Sequence, residues 1–195
     1  MRTLFYPSMD TATDMTDHDT DLRAALGRVA ELEATANPNT FAGRLLRKVG
    51  STRPFIAFYR RFGPKVDPWL HARTGGRIAP ERYGMTSLLL KTIGAKTGLE
   101  RTSPLLYARD GDDFLIVGTN FGTTHHPAWS GNLLKNPEAA IVVGVDTFKV
   151  SAEKVDDATF AAMWPRFTAI YPGYDDYLIR LTHRKPRMFR LRPHV

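Results

Sequence analysis

Cysteine is absent from this 195-residue chain. Disulfide frameworks, iron–sulfur clusters and cysteine-based zinc sites are thereby excluded, and thiol chemistry says nothing about the compartment. Long apolar runs are missing too. None approaches the roughly 20 residues needed to span a bilayer, and the N-terminus lacks the apolar centre of a secretory signal. A cytoplasmic protein is expected. No Gly-x-Gly-x-x-Gly occurs, so a Rossmann nucleotide site has no support. Gly94-Ala95-Lys96-Thr97 imitates the end of a phosphate-binding P-loop but has no glycine immediately before the lysine. His125 and His126 are adjacent, so their side chains diverge, and no carboxylate stands at helical spacing from either; no metal is expected.

What is present is an ordinary globular composition, 43% hydrophobic and 24% charged, with a net charge of +7 that is unevenly spread. Residues 1–40 carry 3 basic and 7 acidic side chains, residues 41–82 carry 10 and 2, and residues 83–195 carry 14 and 11. Three segments are expected on this basis: an acidic, partly disordered N-terminal extension (1–40) with one helix, a basic amphipathic helical segment (41–82), and a strand-rich domain (83–195). In the middle segment Phe55, Ile56, Phe58, Tyr59, Phe62, Trp69 and Leu70 alternate with Arg60, Arg61, Lys65 and Arg73. That pattern suits either a peripheral contact with an anionic membrane or a helix packed on the domain with snorkelling cations. Nucleic acid is not expected, because no binding motif accompanies the charge.

Residues 1–19 read as loosely attached, with Asp19 or Thr20 placed to cap a helix over Asp21–Ala34 whose apolar face is Leu22, Ala25, Leu26, Val29 and Leu32. From Ser87 the pattern turns to strands: Ser87–Ile93, Thr102–Arg109 and Asp113–Thr119, joined by a turn around Gly94 and Gly98 and by Asp110-Gly111-Asp112. Pro127 opens a short helix through Lys135. Glu138–Val145 and Phe148–Val155 read as a hairpin across Asp146-Thr147. Asp156-Asp157 starts a helix to about Ala169, Tyr171-Pro172-Gly173 breaks it, and Met188–Leu191 make a last strand. This order suits a small antiparallel barrel with helices at its rim.

Two clusters carry chemistry. The first hairpin tip offers glycine-freed N–H groups, the Thr97 hydroxyl and the cations Lys96 and Arg101, which together suit a phosphate; an ordinary solvated turn is the alternative. Tyr171, Tyr174 and Tyr177 recur every three residues, giving flat surfaces and phenolic donors on one side of a helical turn; packing on the barrel is the alternative. A penicillin-binding-type set fails. Lys96-Thr97-Gly98, Ser130-Gly131-Asn132 and Ser151-x-x-Lys154 stand in the reverse of the order that chemistry uses, with Ser151 on an expected strand.

Read together, L-H-x-x-T-G-G-R at Leu70–Arg77, G-A-K-T-G-x-x-R at Gly94–Arg101, T-N-F-G at Thr119–Gly122, H-P-A-W-S-x-N-L at His126–Leu133, Asn136-Pro137 and Y-P-x-Y-x-x-Y at Tyr171–Tyr177 resemble the deazaflavin (F420)-dependent nitroreductase and quinone reductase family. The likeness runs from about Val66 to Pro193. It implies an α+β split β-barrel of the FMN-binding type, mainly antiparallel, and hydride transfer from reduced coenzyme F420 to a quinone, activated alkene or nitro-aromatic. FMN as cofactor and a non-catalytic carrier are the alternatives. Monomer and homodimer are both compatible with it.

The resemblance also distributes roles. Ala95, Lys96, Thr97 and Arg101 would hold the cofactor phosphate; Thr102, Ser103, Pro104, Leu105 and Leu106, with Val117, Gly118, Thr119 and Asn120, would line the deazaflavin. Ala128, Trp129, Ser130, Gly131 and Asn132 would close the other side, with Tyr174 beside the ring and Tyr171 and Tyr177 flanking the acceptor. Tyr174 is the candidate proton donor. Three positions depart from the family pattern: Asn120 where some members carry a lysine, Phe121 in place of a glycine, and Ala95 where an arginine can stand. Lys91 or the basic segment would then serve the acidic tail.

Overall fold

The computed structural model describes residues 11–35, 73 and 86–194. Apart from Arg73, the basic segment 41–82 and the membrane contact expected of it lie outside the described residues. The elements are α1 (Thr11–Thr35), β1 (Ser87–Ile93), β2 (Glu100–Asp110), β3 (Asp113–Gly118), a 3-10 turn (Asn120–Gly122), α2 (Ala128–Lys135), β4 (Glu138–Val143), β5 (Asp146–Lys154), α3 (Asp157–Ile170), α4 (Gly173–Arg180) and β6 (Arg187–His194). The strands close into one antiparallel barrel in the order β1-β2-β3-β6-β5-β4, the split-barrel architecture the sequence implies. No helix among the described residues is long and apolar enough to cross a membrane.

Two cores result from strand alternation. Inside the barrel, Leu88, Leu90, Tyr107, Phe114, Ile116, Ile141, Phe148, Val150, Phe189 and Leu191 pack together, with Trp129 and Leu133 of α2 among them. Outside, Ala108, Leu115, Val117 and Met188 lie under Phe167 and the three tyrosines of the α3–α4 region. Strand β3 is apolar from Phe114 to Val117 because it serves both: Phe114 and Ile116 belong to the inner core, Leu115 and Val117 to the outer.

Helix α1 differs from the expectation. It begins at Thr11 rather than Asp21, so part of the stretch read as loosely attached is helical. The segment Thr11–Leu26 contains no glycine or proline, and its acidic residues favour a helix N-terminus, so the helix propagates backward from its apolar face. That face is the expected one. Leu26 and Val29 are buried in the inner core, with Leu22 and Ala25 packed against it; full burial of each large side chain contributes about 1.5–3 kcal/mol. Arg28 Nη2 meets Asp146 Oδ1 at 2.6 Å, and Tyr107 Oη donates to Glu33 Oε1 at 2.7 Å.

The β4–β5 turn is also displaced. Val143 pairs with Asp146, so the turn is Gly144-Val145 and not Asp146-Thr147. Gly144 adopts φ 58°, a left-handed conformation open to glycine, and this moves the turn. Helix α3 starts as expected: Asp156 caps it by accepting the Thr159 N–H at 2.7 Å.

Candidate functional site

The β1–β2 tip is a closed turn. Gly94 N–H donates to Leu99 O at 2.8 Å, while Gly98 and Thr97 N–H donate to Gly94 O at 2.8 and 3.2 Å. A Cβ on Gly94 would stand 2.7 Å from Thr97 Oγ1 and 3.1 Å from Leu99 O, which explains the glycine. Helix α2 locks the turn from below: Asn132 Oδ1 accepts Ala95 N–H at 2.9 Å, Asn132 Nδ2 donates to Thr92 Oγ1 at 3.0 Å, and Lys135 Nζ donates to Ala95 O at 2.7 Å. The amides expected to be free are therefore largely used within the protein. Lys96 N–H, the Lys96 ammonium and the Arg101 guanidinium are what the tip offers outward. Among the described residues neither cation has an acidic partner, and nor does Lys91. Both Lys96 and Arg101 are exposed.

The expected lining divides into faces. Leu88 and Leu90, buried in the inner core, pair with Leu105 and Ser103. Ser103 and Leu105 thus turn inward, and Thr102, Pro104 and Leu106 share the outer face. Leu106 packs on the outer core with Val117. A Cβ on Gly118 would come within 3.2 Å of Pro127 Cγ, so a side chain there would press on the α2 lead-in. On α2, Trp129 meets Phe189 edge-on at 5.8 Å inside the barrel. Ser130 is fully buried, donates from Oγ to Pro127 O at 3.0 Å and accepts from Arg187 Nη1 at 3.4 Å. Trp129, Ser130 and Asn132 therefore build the wall from within, while Ala128 is exposed and Gly131 faces open space.

The tyrosines come together. Tyr171, Tyr174 and Tyr177 are 5–7% exposed, with ring centroids 5.7–6.0 Å apart. The Tyr171 and Tyr177 hydroxyls lie 3.4 Å apart. Trp164 and Phe167 meet Tyr174 edge-on at 5.9 and 5.7 Å. All three phenols are neutral donors at physiological pH, and burial raises their pKa values further above the ordinary tyrosine value. The Tyr174 hydroxyl has no hydrogen-bond partner among the described residues. A buried hydroxyl left so costs about 1–3 kcal/mol.

The loop after β3 joins these parts. Asn120 and Phe121 hold φ of 48° and 57°, a left-handed conformation unusual for a bulky aromatic. Phe121 stands edge-on to Tyr177 at 6.0 Å. Asn120 is turned into the loop, its Nδ2 donating to Thr123 Oγ1 at 2.7 Å and to His125 O at 3.0 Å. Sequence reasoning missed Arg184, whose guanidinium reaches across to this loop; no motif included it. His126 lies against that guanidinium, Nδ1 to Nη1 3.2 Å. A cavity of about 360 Å³ lies elsewhere, between α1 and the β2–β3 turn, lined by Asp19, Arg23, Asp112, Asp113 and Arg192. It holds no aromatic residue and none of the expected site residues.

The family model described as F420H(2)-dependent quinone reductase matches residues 65–186. The chain belongs to the F420H(2)-dependent quinone reductase family. An F420H(2)-dependent quinone reductase of Mycobacterium tuberculosis is 44% identical over 98 residues, 49% of this chain and 66% of that protein. The chain thus spans just under two thirds of the length of the curated relatives it matches. A solved structure described as an F420-H2 dependent reductase superposes with a TM-score of 0.50 at 25% identity, covering 54% of this chain and 93% of the other. A chain described as a domain-swapped dimer shares the fold at 24% identity and a TM-score of 0.50, over 64% and 98%. Within the family's matched segment lie all of the site residues named above, from Ala95 to Tyr177.

Proposed function

We propose that this member of the F420H(2)-dependent quinone reductase family binds coenzyme F420 and reduces a quinone-like acceptor. The observation that carries the reading is that β2 joins two features, the exposed cations at its Glu100 end and the buried Tyr174 cluster on which its Leu106 packs. Among the described residues the cations have no acidic partner and the Tyr174 hydroxyl has no hydrogen-bond partner. A phosphate-bearing, planar group fits that donor set: Lys96 and Arg101 answer its anion, and the tyrosine cluster answers its ring. When bound, reduced F420 supplies the hydride.

The chain's own contribution is to hold and to exclude. Lys96 N–H, its ammonium and Arg101 hold the phosphate, each charge-assisted bond contributing about 1.5–3 kcal/mol. Thr102, Pro104 and Leu106 offer side chains to the ring, whereas Ser103 and Leu105 support it from inside the barrel. Tyr174, a neutral phenol whose pKa burial raises further, donates a hydrogen bond to the acceptor oxygen as charge develops there, with Tyr171 and Tyr177 beside it. Lys91 stands on the outer face of β1, opposite Thr102, where it can meet an acidic tail.

The test is a pair of fluorescence titrations, with F420 and with FMN, followed by turnover of menadione and of a nitro-aromatic. The expected result is binding of F420 in preference to FMN and faster reduction of the quinone. Preferential FMN binding, or F420 binding without turnover of either acceptor, overturns the reading in favour of an FMN enzyme or of a carrier.

A further inference from the structure

The loop that follows β3 is costly as it stands. A left-handed phenylalanine persists only where surrounding contacts over-determine it, because the conformation costs about 1–3 kcal/mol. Its internal bonds include Gly122 N–H to Thr119 O and Thr123 N–H to Asn120 O, both 3.1 Å, Thr123 Oγ1 to Asn120 O at 2.9 Å, and the Asn120 amide contacts given above. None of these hydrogen bonds reaches outside the loop. Phe121 packs outward on Tyr177, and a side chain from the α4–β6 connection adds hydrogen bonds. Arg184 Nη2 donates to Thr119 O at 2.8 Å, Nε to Thr123 O at 3.1 Å, and Nη1 to Gly118 O at 3.2 Å and toward His126 Nδ1 at 3.2 Å.

Those acceptors bracket the loop. Gly118 and Thr119 precede the left-handed pair, and Thr123 and His126 follow it, the last leading through Pro127 into α2. A guanidinium carries donors only, so His126 Nδ1 accepts and its proton sits on Nε2. The planar fork suits this task as an ammonium does not, since it fixes several acceptors in one plane. Burial and the nearby Arg187 disfavour the charge on Arg184, and the bonds offset that cost.

We infer that Arg184 is a positioning residue for the cofactor wall: its guanidinium ties the end of β3, both sides of the strained Asn120–Phe121 turn and the lead-in to α2 into one rigid unit. The inference rests on the cofactor reading above, since Val117–Asn120 and α2 are the walls it would fix. Arg184 itself contacts only protein, and its effect passes through the loop.

The experiment compares wild type with Arg184→Met and Arg184→Lys by F420 fluorescence titration and by native-state amide exchange. In Arg184→Met the F420 dissociation constant is expected to rise about tenfold. Exchange protection should fall at Gly122 and Thr123 while the barrel amides of Leu115 and Ile116 keep theirs. Arg184→Lys should recover part of both, and it carries the comparison if the methionine variant does not fold. Unchanged affinity with unchanged protection at Gly122 and Thr123 overturns the inference. So does a loss of protection spread equally over the barrel, which would make Arg184 a general stabiliser. If wild type itself binds no F420, the cofactor reading fails, and the exchange pattern still decides whether the clamp exists.

Discussion

Strand β2 has two ends, and they handle charge in opposite ways. At the Asp110 end Arg109, Arg190 and Arg192 each have an anion. Arg190 meets Asp110 at 2.6 Å and Asp113 at 3.0 Å, Arg192 meets Asp113 and Glu153 at 3.9 Å, and Arg109 meets Glu33 at 3.9 Å while lying 4.2 Å over the Phe114 ring. At the Glu100 end, Lys96 and Arg101 are exposed and without acidic partners among the described residues. The first arrangement joins a hairpin to its neighbours. The second leaves positive potential in front of a rigid turn, which does nothing for stability and suits an anion from outside. The same residue types thus build structure at one end and a candidate grip at the other.

The sharpest way to break this comparison is Arg101→Ala. If the tip is a phosphate grip, the F420 dissociation constant should rise about 10- to 100-fold, the loss of one charge-assisted contact, with the melting temperature unmoved. Equal affinity in a fluorescence titration removes the grip. The mirror experiment is Arg190→Met. Here partly buried Asp110 and Asp113 lose their shared cation, and stability should fall by about 1–2 kcal/mol in chemical denaturation. F420 affinity should stay at the wild-type value. If instead Arg190→Met weakens binding and Arg101→Ala weakens folding, the two ends have been assigned the wrong way round.

How much of this was legible in the sequence depends on whether the signal was local. Strand β1 and the start of α2 follow from alternation and from Pro127, and Asp156 is a cap that names itself. A barrel follows from short antiparallel strands that must close on themselves, whereas the seating of β6 between β3 and β5 does not. Faces within the site were less legible. The run Thr102–Leu106 was read as one lining, but the pleat sends Ser103 and Leu105 inward because their partners Leu90 and Leu88 are core residues. Trp129, Ser130 and Asn132 look like ligand contacts in a motif and are buried parts of the wall. Arg184 was illegible because its acceptors are backbone carbonyls, and carbonyls leave no mark on a sequence. The start of α1 was missed for a related reason: its polar first turns carry no apolar periodicity of their own.

A smaller effect is expected at Tyr174, which sharpens the comparison from the ring side. Tyr174→Phe removes a buried hydroxyl without a partner among the described residues, so stability should rise, by up to the roughly 1–3 kcal/mol such a hydroxyl costs. Menadione turnover at saturating F420 should drop about tenfold, the worth of one hydrogen bond made in the transition state. A wild-type rate with raised stability would show the phenol to be a packing residue only. A marked loss of stability would mean that the hydroxyl has a partner in the free protein.

The smallest effect expected is a pH dependence confined to the Glu100 side of the comparison. His126 has its pKa lowered below the usual 6.5, first by burial and then by Arg187, Arg184 and Lys154, whose charges face it. The folded protein therefore binds this proton less readily than the unfolded chain does. Stability should be fully present above about pH 6.5 and should decline as pH falls from there toward the depressed folded value. The change is expected to stay under about 1 kcal/mol, because the imidazole keeps some exposure. His126→Asn places an amide oxygen where Nδ1 accepts and cannot titrate. Melting curves at pH 7.5 and 5.5 should show wild type losing more than this variant. The variant should also leave unchanged the separate acid loss from Asp156, whose carboxylate pKa is lowered by its bonds to Thr159. An equal loss in both proteins would mean that His126 is not what couples the Arg184-bound loop to protons. The two ends of β2 would then differ in pairing alone.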